Sequence, residues 1–520
     1  MKRAVRRIGA PSSGRQKVVA CITKRQGQLS YGAANAHSVA RRDGGGAAGG
    51  VRYRAVRCPR ISPDARVFLR SSRVRRRVSS SSDSPAADFT TAPVSKGRLA
   101  YTLAVLFGLN FMNFYDRQVV GAVGEKIKAE WQLSDGQLGS LTTAFVLLYA
   151  LVGIPFGHFA DTGKRRLVLS RGVAVWSAFT ALSGAAGSFF AHFLYRMGVG
   201  VGEASLAPTA NSLIADLFPP ARRARAISVF MLGLPLGLGA SYLISGLIAK
   251  ATGGWRPALY VAAVPGFALA ILALFLPDPP RIVSANRADT RSESATQSIR
   301  AILRIPTMWW IIASGALMNL VMYSVSAFST SFYIRYHGLD IDYANRYNAL
   351  VFGVGGGIGM LVGGWLGDRA GRRGPAGRLQ LATLGSLIAA PMLWLALEQV
   401  RGDARAFAGC LFVAVLAIYL YYSTVYAAIH DLVPASRRGM AMSVYFFVFY
   451  IFTAIGLIVF GRLSDAMAAR ALASGVTAAE SRALGLHDAM SVMPLFCAAL
   501  VVVLYVASRT AVRDAKRMAT

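Results

Sequence analysis

Four ionisable residues sit where the chain is otherwise apolar. Asp116 and Arg117 fall late in one long apolar run, within Asn110-Phe-Met-Asn-Phe-Tyr-Asp-Arg117, and Arg196 and Glu203 fall in another, within Arg196-Met-Gly-Val-Gly-Val-Gly-Glu-Ala204. A charge at mid-bilayer costs about 2.5–3.5 kcal/mol, so four unpaired ones would cost about 10 kcal/mol. The two acids and two bases sum to zero, and pairing is therefore expected. Residues 196 and 203 are seven apart, which puts them on one helical face, and Gly202 and Ala204 leave room for a facing helix. The chemistry such a group could do is proton binding. Burial disfavours an ionised carboxylate and a neighbouring guanidinium favours it, so a rearrangement that alters either would load or release a proton. Glu203 and Asp116 are the candidate proton carriers, with Arg117 and Arg196 positioning them. The plainer alternative is a permanent ion cluster that only fixes packing.

A second group of residues suits gating. Gly364-Trp-Leu-Gly-Asp-Arg-Ala-Gly-Arg-Arg373 satisfies G-x-x-x-D-R-x-G-R-R in full. Its acid, Asp368, can accept from a helix N-terminus, and Arg369, Arg372 and Arg373 can grip a helix C-terminus. The turn would then latch two helices in one conformation. An earlier copy, Gly157 to Arg166, carries Asp161, Arg165 and Arg166 but has Thr162 in place of Arg369, so a weaker latch is expected there. Asp216 and Asp431 mark a further repeat: Asp216-Leu-Phe-Pro219 with Arg222 and Arg223 returns as Asp431-Leu-Val-Pro434 with Arg437 and Arg438. Two copies of an apolar half with the same basic turns are the mark of a transporter built from repeats.

The elements that must position these residues are membrane helices. Apolar residues make up 54% of the chain and charged residues only 16%, which excludes an ordinary soluble enzyme. A crossing needs about 20 apolar residues. Twelve runs qualify, near 99–123, 136–159, 167–189, 191–218, 224–249, 256–276, 306–334, 343–367, 375–397, 404–430, 439–464 and 488–508. The fold class is thus an all-α membrane protein, twelve transmembrane helices in two pseudo-symmetric six-helix bundles. Residues 96–276 would form one bundle and 306–510 the other, joined by a linker at 277–305 and followed by a tail at 511–520. Glycines such as Gly353 to Gly359 would let helices approach closely, while Pro208 and Pro235 would bend or break theirs.

The net charge is +33, and its distribution matters more than its size. Residues 1–95 carry 20 Lys or Arg against four acids, and the remaining excess punctuates alternate loops. By the positive-inside rule those loops and both termini are cytoplasmic. Residues 1–95 lack apolar periodicity and are expected to be disordered. They read as a cytoplasmic tail, as a stretch upstream of the true start, as a transit segment or as an anionic-lipid-binding arm. Basic residues confined to short loops, with no aromatic-interleaved module, argue against nucleic acid. Cys21, Cys58, Cys410 and Cys497 have no ligand-like spacing, and no phosphate-binding G-x-x-x-x-G-K-[ST] run or cluster of nucleophiles appears. No cofactor and no enzymatic activity are expected; protons are the coupling ion, membrane lipids the surroundings and a monomer the working unit.

With these motifs stated, the chain resembles the major facilitator superfamily over roughly residues 97–510. The carriers are Gly364 to Arg373 and the R-x-x-x-G-x-G-x-A of Arg196, Gly200, Gly202 and Ala204. It is further similar to the bacterial branch of the spinster family, through Asn113-Phe-Tyr-Asp-Arg-Gln118, Leu133-Ser-Asp-Gly-Gln-Leu-Gly139, Gly198 to Ala204 and Ile214 to Pro219. The resemblance implies alternating access and proton-linked movement of lipid-like substrates such as lysophospholipids or sphingolipids, with Asp116, Arg117 and Glu203 as the coupling residues. Candidates for the cavity wall are Asn113, Tyr115, Pro208, Tyr323, Tyr422, Tyr426, Tyr445 and Phe449. Two rival readings stay open: an anion:cation symporter, which would need an uncompensated cavity cation for which Arg335 is the candidate, and a non-transporting receptor or scaffold.

Overall fold

The computed structural model describes residues 19–25, 28–34 and 95–519, apart from 163, 219, 280–294, 435 and 436. Within the N-terminal segment expected to be disordered, Val19–Arg25 pairs antiparallel with Gln28–Ala34; the rest of 1–94 and most of the expected linker lie outside the described residues.

Among the described residues, ten helical stretches are long and apolar enough to cross a membrane. They coincide with ten of the twelve expected crossings: the second at Asp135–Thr162, the third at Arg165–Gly184, the fifth at Arg225–Thr252, the sixth at Arg256–Leu274, the seventh at Pro306–Arg335, the eighth at Ile341–Gly371, the ninth at Pro375–Leu397, the tenth at Ala404–Leu432, the eleventh at Arg438–Ala473 and the twelfth at Ala478–Asp514. The first and fourth complete the set but are less apolar or less continuous. The first, Lys96–Trp131, is diluted by Asn110, Asn113, Asp116, Arg117 and Gln118. The fourth is split into Phe189–Glu203 and Leu206–Leu217. These two carry the four ionisable residues.

The break in the fourth crossing has a local cause. Pro208 has no N–H to donate to the carbonyl of Ala204, four residues back, and the helix turns at Ala204 and Ser205. Pro235 acts likewise, one helix ending at Met231, four residues before it, and the next starting at Gly233. Where crossings end, tight turns take over: Gly253 and Gly374 adopt positive φ (71° and 75°), a conformation that disfavours side chains with a Cβ.

Twelve passes return the chain to the end at which it entered. That end, with Lys96 and Asp514, is the near end; the turns after Trp131, Gly184, Thr252, Arg335, Leu397 and Ala473 form the far end. Along the seam between the bundles the first crossing packs on the seventh, the second on the eleventh and the fifth on the eighth. Small residues make these contacts possible. A Cβ on Gly239 would lie 2.8 Å from the Cα of Gly353, and one on Gly139 would lie 2.6 Å from the carbonyl oxygen of Leu457. Gly353 sits in a π-helical turn, Ala349–Gly355, inside the eighth crossing.

The fourth crossing is pressed harder still. A Cβ on Gly200 would stand 2.5 Å from the Phe145 carbonyl oxygen, and one on Gly202 would stand 2.6 Å from both the Gly172 oxygen and the Trp176 nitrogen. Overpacking of this kind costs about 1–3 kcal/mol. Gly202→Val is therefore expected to lower the thermal unfolding temperature in detergent, whereas Gly409→Ala, at a position where a Cβ meets nothing within 4 Å, is expected to leave it unchanged or slightly raised.

Candidate functional site

Close approach by Gly200 and Gly202 pushes the fourth crossing against the second and third, and so carries Arg196 and Glu203 inward to meet the first crossing. Glu203 is fully buried and accepts from Nε of Arg117 at 2.9 Å. Arg117 also donates to the hydroxyl of Tyr450 at 3.5 Å, in the eleventh crossing. Its guanidinium lies 4.5 Å from the Tyr149 ring centroid, 4.9 Å from that of Phe114 and 5.1 Å from that of Phe145, a placement in which ring quadrupoles stabilise the cation.

Asp116 does not join that pair. Consecutive helical residues point about 100° apart, so Asp116 turns from Glu203 towards the third crossing, where its carboxylate accepts from Thr180 at 2.7 Å. Arg196 donates to the backbone oxygen of Asp116 at 3.4 Å and stacks on the other side of the cluster against Phe145, 5.5 Å away. The four-way pairing expected from the sequence is thus one ion pair, Arg117–Glu203, beside a carboxylate and a guanidinium joined through backbone and hydroxyl. Asp116 Oδ1, Glu203 Oε1 and Arg196 Nε are buried without a hydrogen-bond partner among the described residues.

Beside the cluster lies a cavity between the bundles. Its wall comes from six crossings: Phe114, Arg117, Gln118 and Gly121 of the first, Thr142 and Phe145 of the second, Leu234 and Leu238 of the fifth, Met322, Tyr323, Ser326 and Ala327 of the seventh, Phe352 of the eighth, and Tyr419 and Tyr422 of the tenth. Arg117 is the one charged residue among them, and it stands between the cavity and Glu203.

Of the eight residues expected on the wall, Tyr323 and Tyr422 are there. Tyr115 faces the fifth crossing, its hydroxyl 3.4 Å from that of Ser245; Asn113 is buried, and Pro208 is half-buried in the fourth crossing. Tyr445 is buried, its hydroxyl 3.1 Å from that of Tyr421, Phe449 stacks on Tyr445 with centroids 6.0 Å apart, and Tyr426 packs edge-on to both Tyr422 and Tyr445. The wall residues that sequence reasoning missed share a helical face with ones it named, 114, 118 and 121 with Arg117 and 322 and 326 with Tyr323, which is the signal that would have found them.

The expected gating residues are only partly engaged. Arg165, almost wholly buried, pairs with Asp216 and with Asp278 at 2.9 Å and donates to the Pro279 carbonyl at 2.6 Å. The first-half copy, expected to be the weaker latch, is the engaged one. In the second half Asp431 pairs with Arg378 at 3.4 Å, six residues beyond the Arg372 that the repeat singles out. The reason is the turn at Gly374. The helix starts only at Pro375, so Arg372 and Arg373 stay exposed with Asp368, and Arg378 in the first turn faces Asp431. Arg369 stacks over Trp365, 3.4 Å from its centroid. Arg166 is exposed, and the side chain of Asp161 lies outside the described residues.

The far end holds a cluster that the sequence reading did not assemble. Arg335, the candidate cavity cation, instead bonds Asp135 at 2.8 and 2.9 Å and Glu125 through two nitrogens, one at 3.1 Å. Asp465 of the eleventh crossing accepts from the backbone N–H groups of Asp135 and Gly136 at 2.8 Å each, capping the second crossing, and Ser464 donates to Asp135 at 2.7 Å. Lys250 pairs with Asp342 at 3.0 Å across the fifth and eighth crossings. All of these contacts bridge the bundles. At the near end Arg165 and Arg378 pair within their own bundles.

A model of the Major Facilitator Superfamily matches residues 106–457. The chain belongs to that superfamily. It is 30% identical over 373 residues to an MFS-type efflux pump of Mycolicibacterium smegmatis, covering 70% of this chain and 84% of that protein. It is also 30% identical over 358 residues to Protein spinster homolog 3 of Danio rerio, covering 64% and 71%. Among solved structures, an inward-facing, unoccupied bacterial homolog of the human lysosomal transporter Spinster superposes with a TM-score of 0.72 at 28% identity, over 81% of this chain and 99% of that one. A D-xylose-proton symporter, 16% identical with a TM-score of 0.60, shares the fold. The chain is thus a spinster-like transporter of this superfamily and not an enzyme.

Removing one member of a buried ion pair costs about 3–5 kcal/mol, while replacing both by apolar groups is often neutral. Arg117→Ala should accordingly lower the thermal unfolding temperature more than the Arg117→Met, Glu203→Leu double variant does, as followed by intrinsic fluorescence in detergent.

Proposed function

We propose that this chain is a proton-coupled secondary transporter that moves an amphiphile with an anionic head by alternating access. The observation that carries this reading is the place of Arg117: the one charged group on an otherwise aromatic and aliphatic wall, held from behind by the fully buried Glu203. An anionic head entering the cavity competes with Glu203 for the guanidinium. A carboxylate left in that interior without its partner is costly, and taking up a proton removes the charge. Head and proton are thereby linked through one side chain. Phe114, Tyr323, Phe352, Tyr419 and Tyr422 offer the tail a large apolar surface. Asp116, held by Thr180 rather than by an arginine, is the second carboxyl available to a proton.

The basic loops at the near end support a cytoplasmic orientation for it, with the inner membrane of a bacterium as the setting and lipids as neighbours in this reading. Bridged at the far end and paired within each bundle at the near end, the protein would stand open to the cytoplasm. The rival anion-symporter reading loses its extra cation, because Arg335 is taken by Glu125 and Asp135.

In liposomes carrying a proton gradient, the purified protein should accumulate a labelled lysophospholipid and fail to accumulate small organic anions. Glu203→Gln should abolish gradient-driven accumulation while lipid exchange without a gradient continues. Gradient-driven uptake at the wild-type level in Glu203→Gln would remove that residue from coupling; uptake of organic anions alone would overturn the amphiphile assignment.

A further inference from the structure

Gln118 lies one residue beyond Arg117, on the same cavity wall. Its amide bonds both its own bundle, at Tyr242, and the opposite bundle, at Ser326. Nε2 donates to the hydroxyl of Tyr242 at 2.9 Å and to the backbone oxygen of Ser326 at 3.3 Å, while Oε1 accepts from the Ser326 hydroxyl at 2.9 Å. The hydroxyl of Tyr242 then donates to the same Ser326 oxygen at 2.6 Å. Both amide protons are used, so an acceptor from the cavity reaches the Gln118 amide only by displacing its bond to Tyr242 or the one to Ser326 that joins the bundles. Ser326 also faces the cavity. The amide has room to fold towards the seam because residue 121 is glycine: a Cβ there would lie 2.3 Å from Gln118 Nε2.

We propose that Gln118 is the residue through which the cavity's occupant releases the far side of the seam. When a head group draws the amide or Ser326 into the cavity, the Gln118–Ser326 bridge between the first and seventh crossings parts, and the seam that the far-end contacts of Arg335, Asp465 and Lys250 close is weakened. The inference rests on the transporter reading of the cavity, but the bridge itself exists whatever the substrate is.

The test is a distance measurement across the far end. Spin labels are placed on Ala129→Cys and Ala479→Cys, both exposed, in the full chain with its four native cysteines replaced. Without lipid the wild type should give mainly one short distance. Gln118→Leu and Ser326→Ala should each raise the long-distance fraction about three- to tenfold, the size expected for one or two lost hydrogen bonds. The double variant should show no more than the larger single effect, since both remove one bridge. Gly121→Ala, which crowds the amide without removing it, should act in the same direction and stands in for Gln118→Leu should that variant not fold. Oleoyl-lysophosphatidylglycerol should raise the long-distance fraction of wild type and leave Gln118→Leu unmoved.

Unchanged distances in Gln118→Leu and Gly121→Ala overturn the proposal. So do additive effects in the double variant, or a lipid response that survives in Gln118→Leu. Absence of any lipid response in wild type, with the variants still shifting the distances, counts against the substrate reading and leaves the bridge standing.

Discussion

Two full charges, Arg117 and Glu203, are held against each other in the interior of a helical bundle, and most of the first bundle is arranged around that fact. A guanidinium so placed needs its carboxylate within hydrogen-bond reach, which fixes the fourth crossing against the first. That approach is possible because Gly200 and Gly202 bring the fourth crossing backbone to backbone with the second and third. The same packing sets Phe145 between the guanidinium groups of Arg117 and Arg196. Bundle, ion pair and cavity wall are therefore one construction rather than three features.

A second consequence concerns the two ends of the molecule. The seam is joined by glycine contacts and hydrogen bonds at mid-depth and by Arg335, Asp465 and Lys250 at the far end. At the near end, Arg165 and Arg378 tie the third and ninth crossings to the fourth and tenth, each inside its own bundle. These pairs make each half rigid. Two stiff bodies bridged at one end are the arrangement that rocking about a central site requires.

The fold was almost wholly legible in the sequence, since apolar length alone marks a crossing and the twelve expected runs recur in place. The site was legible in part. Burial of charge announced Asp116, Arg117, Arg196 and Glu203, but which acid meets which base depends on helix rotation, and adjacent residues cannot face one partner together. The repeat marked Asp216 and Asp431, but the arginine that meets Asp431 is Arg378 rather than Arg372, the counterpart of Arg165, because a turn ending at Gly374 shifts the helix start by several residues. Aromatic content was a poor guide to the wall: Tyr115, Tyr445 and Phe449 satisfy packing, whereas Gln118, Ser326 and Phe352 reach the cavity through their position on a helical face. The far-end cluster went unread because its members, Glu125, Asp135, Arg335 and Asp465, are scattered over four crossings and meet only in three dimensions.

The uneven apolarity of the crossings also bears on how the molecule is made. Arg117 emerges from the ribosome 86 residues before Glu203, so the first helix must enter the lipid bilayer, or wait beside it, with a bare cation. Its own sequence is too polar to hold it there comfortably. Stable insertion of the chain's opening segment thus depends on a later one, and the translocation machinery has to keep the early helix within reach until its counterion arrives.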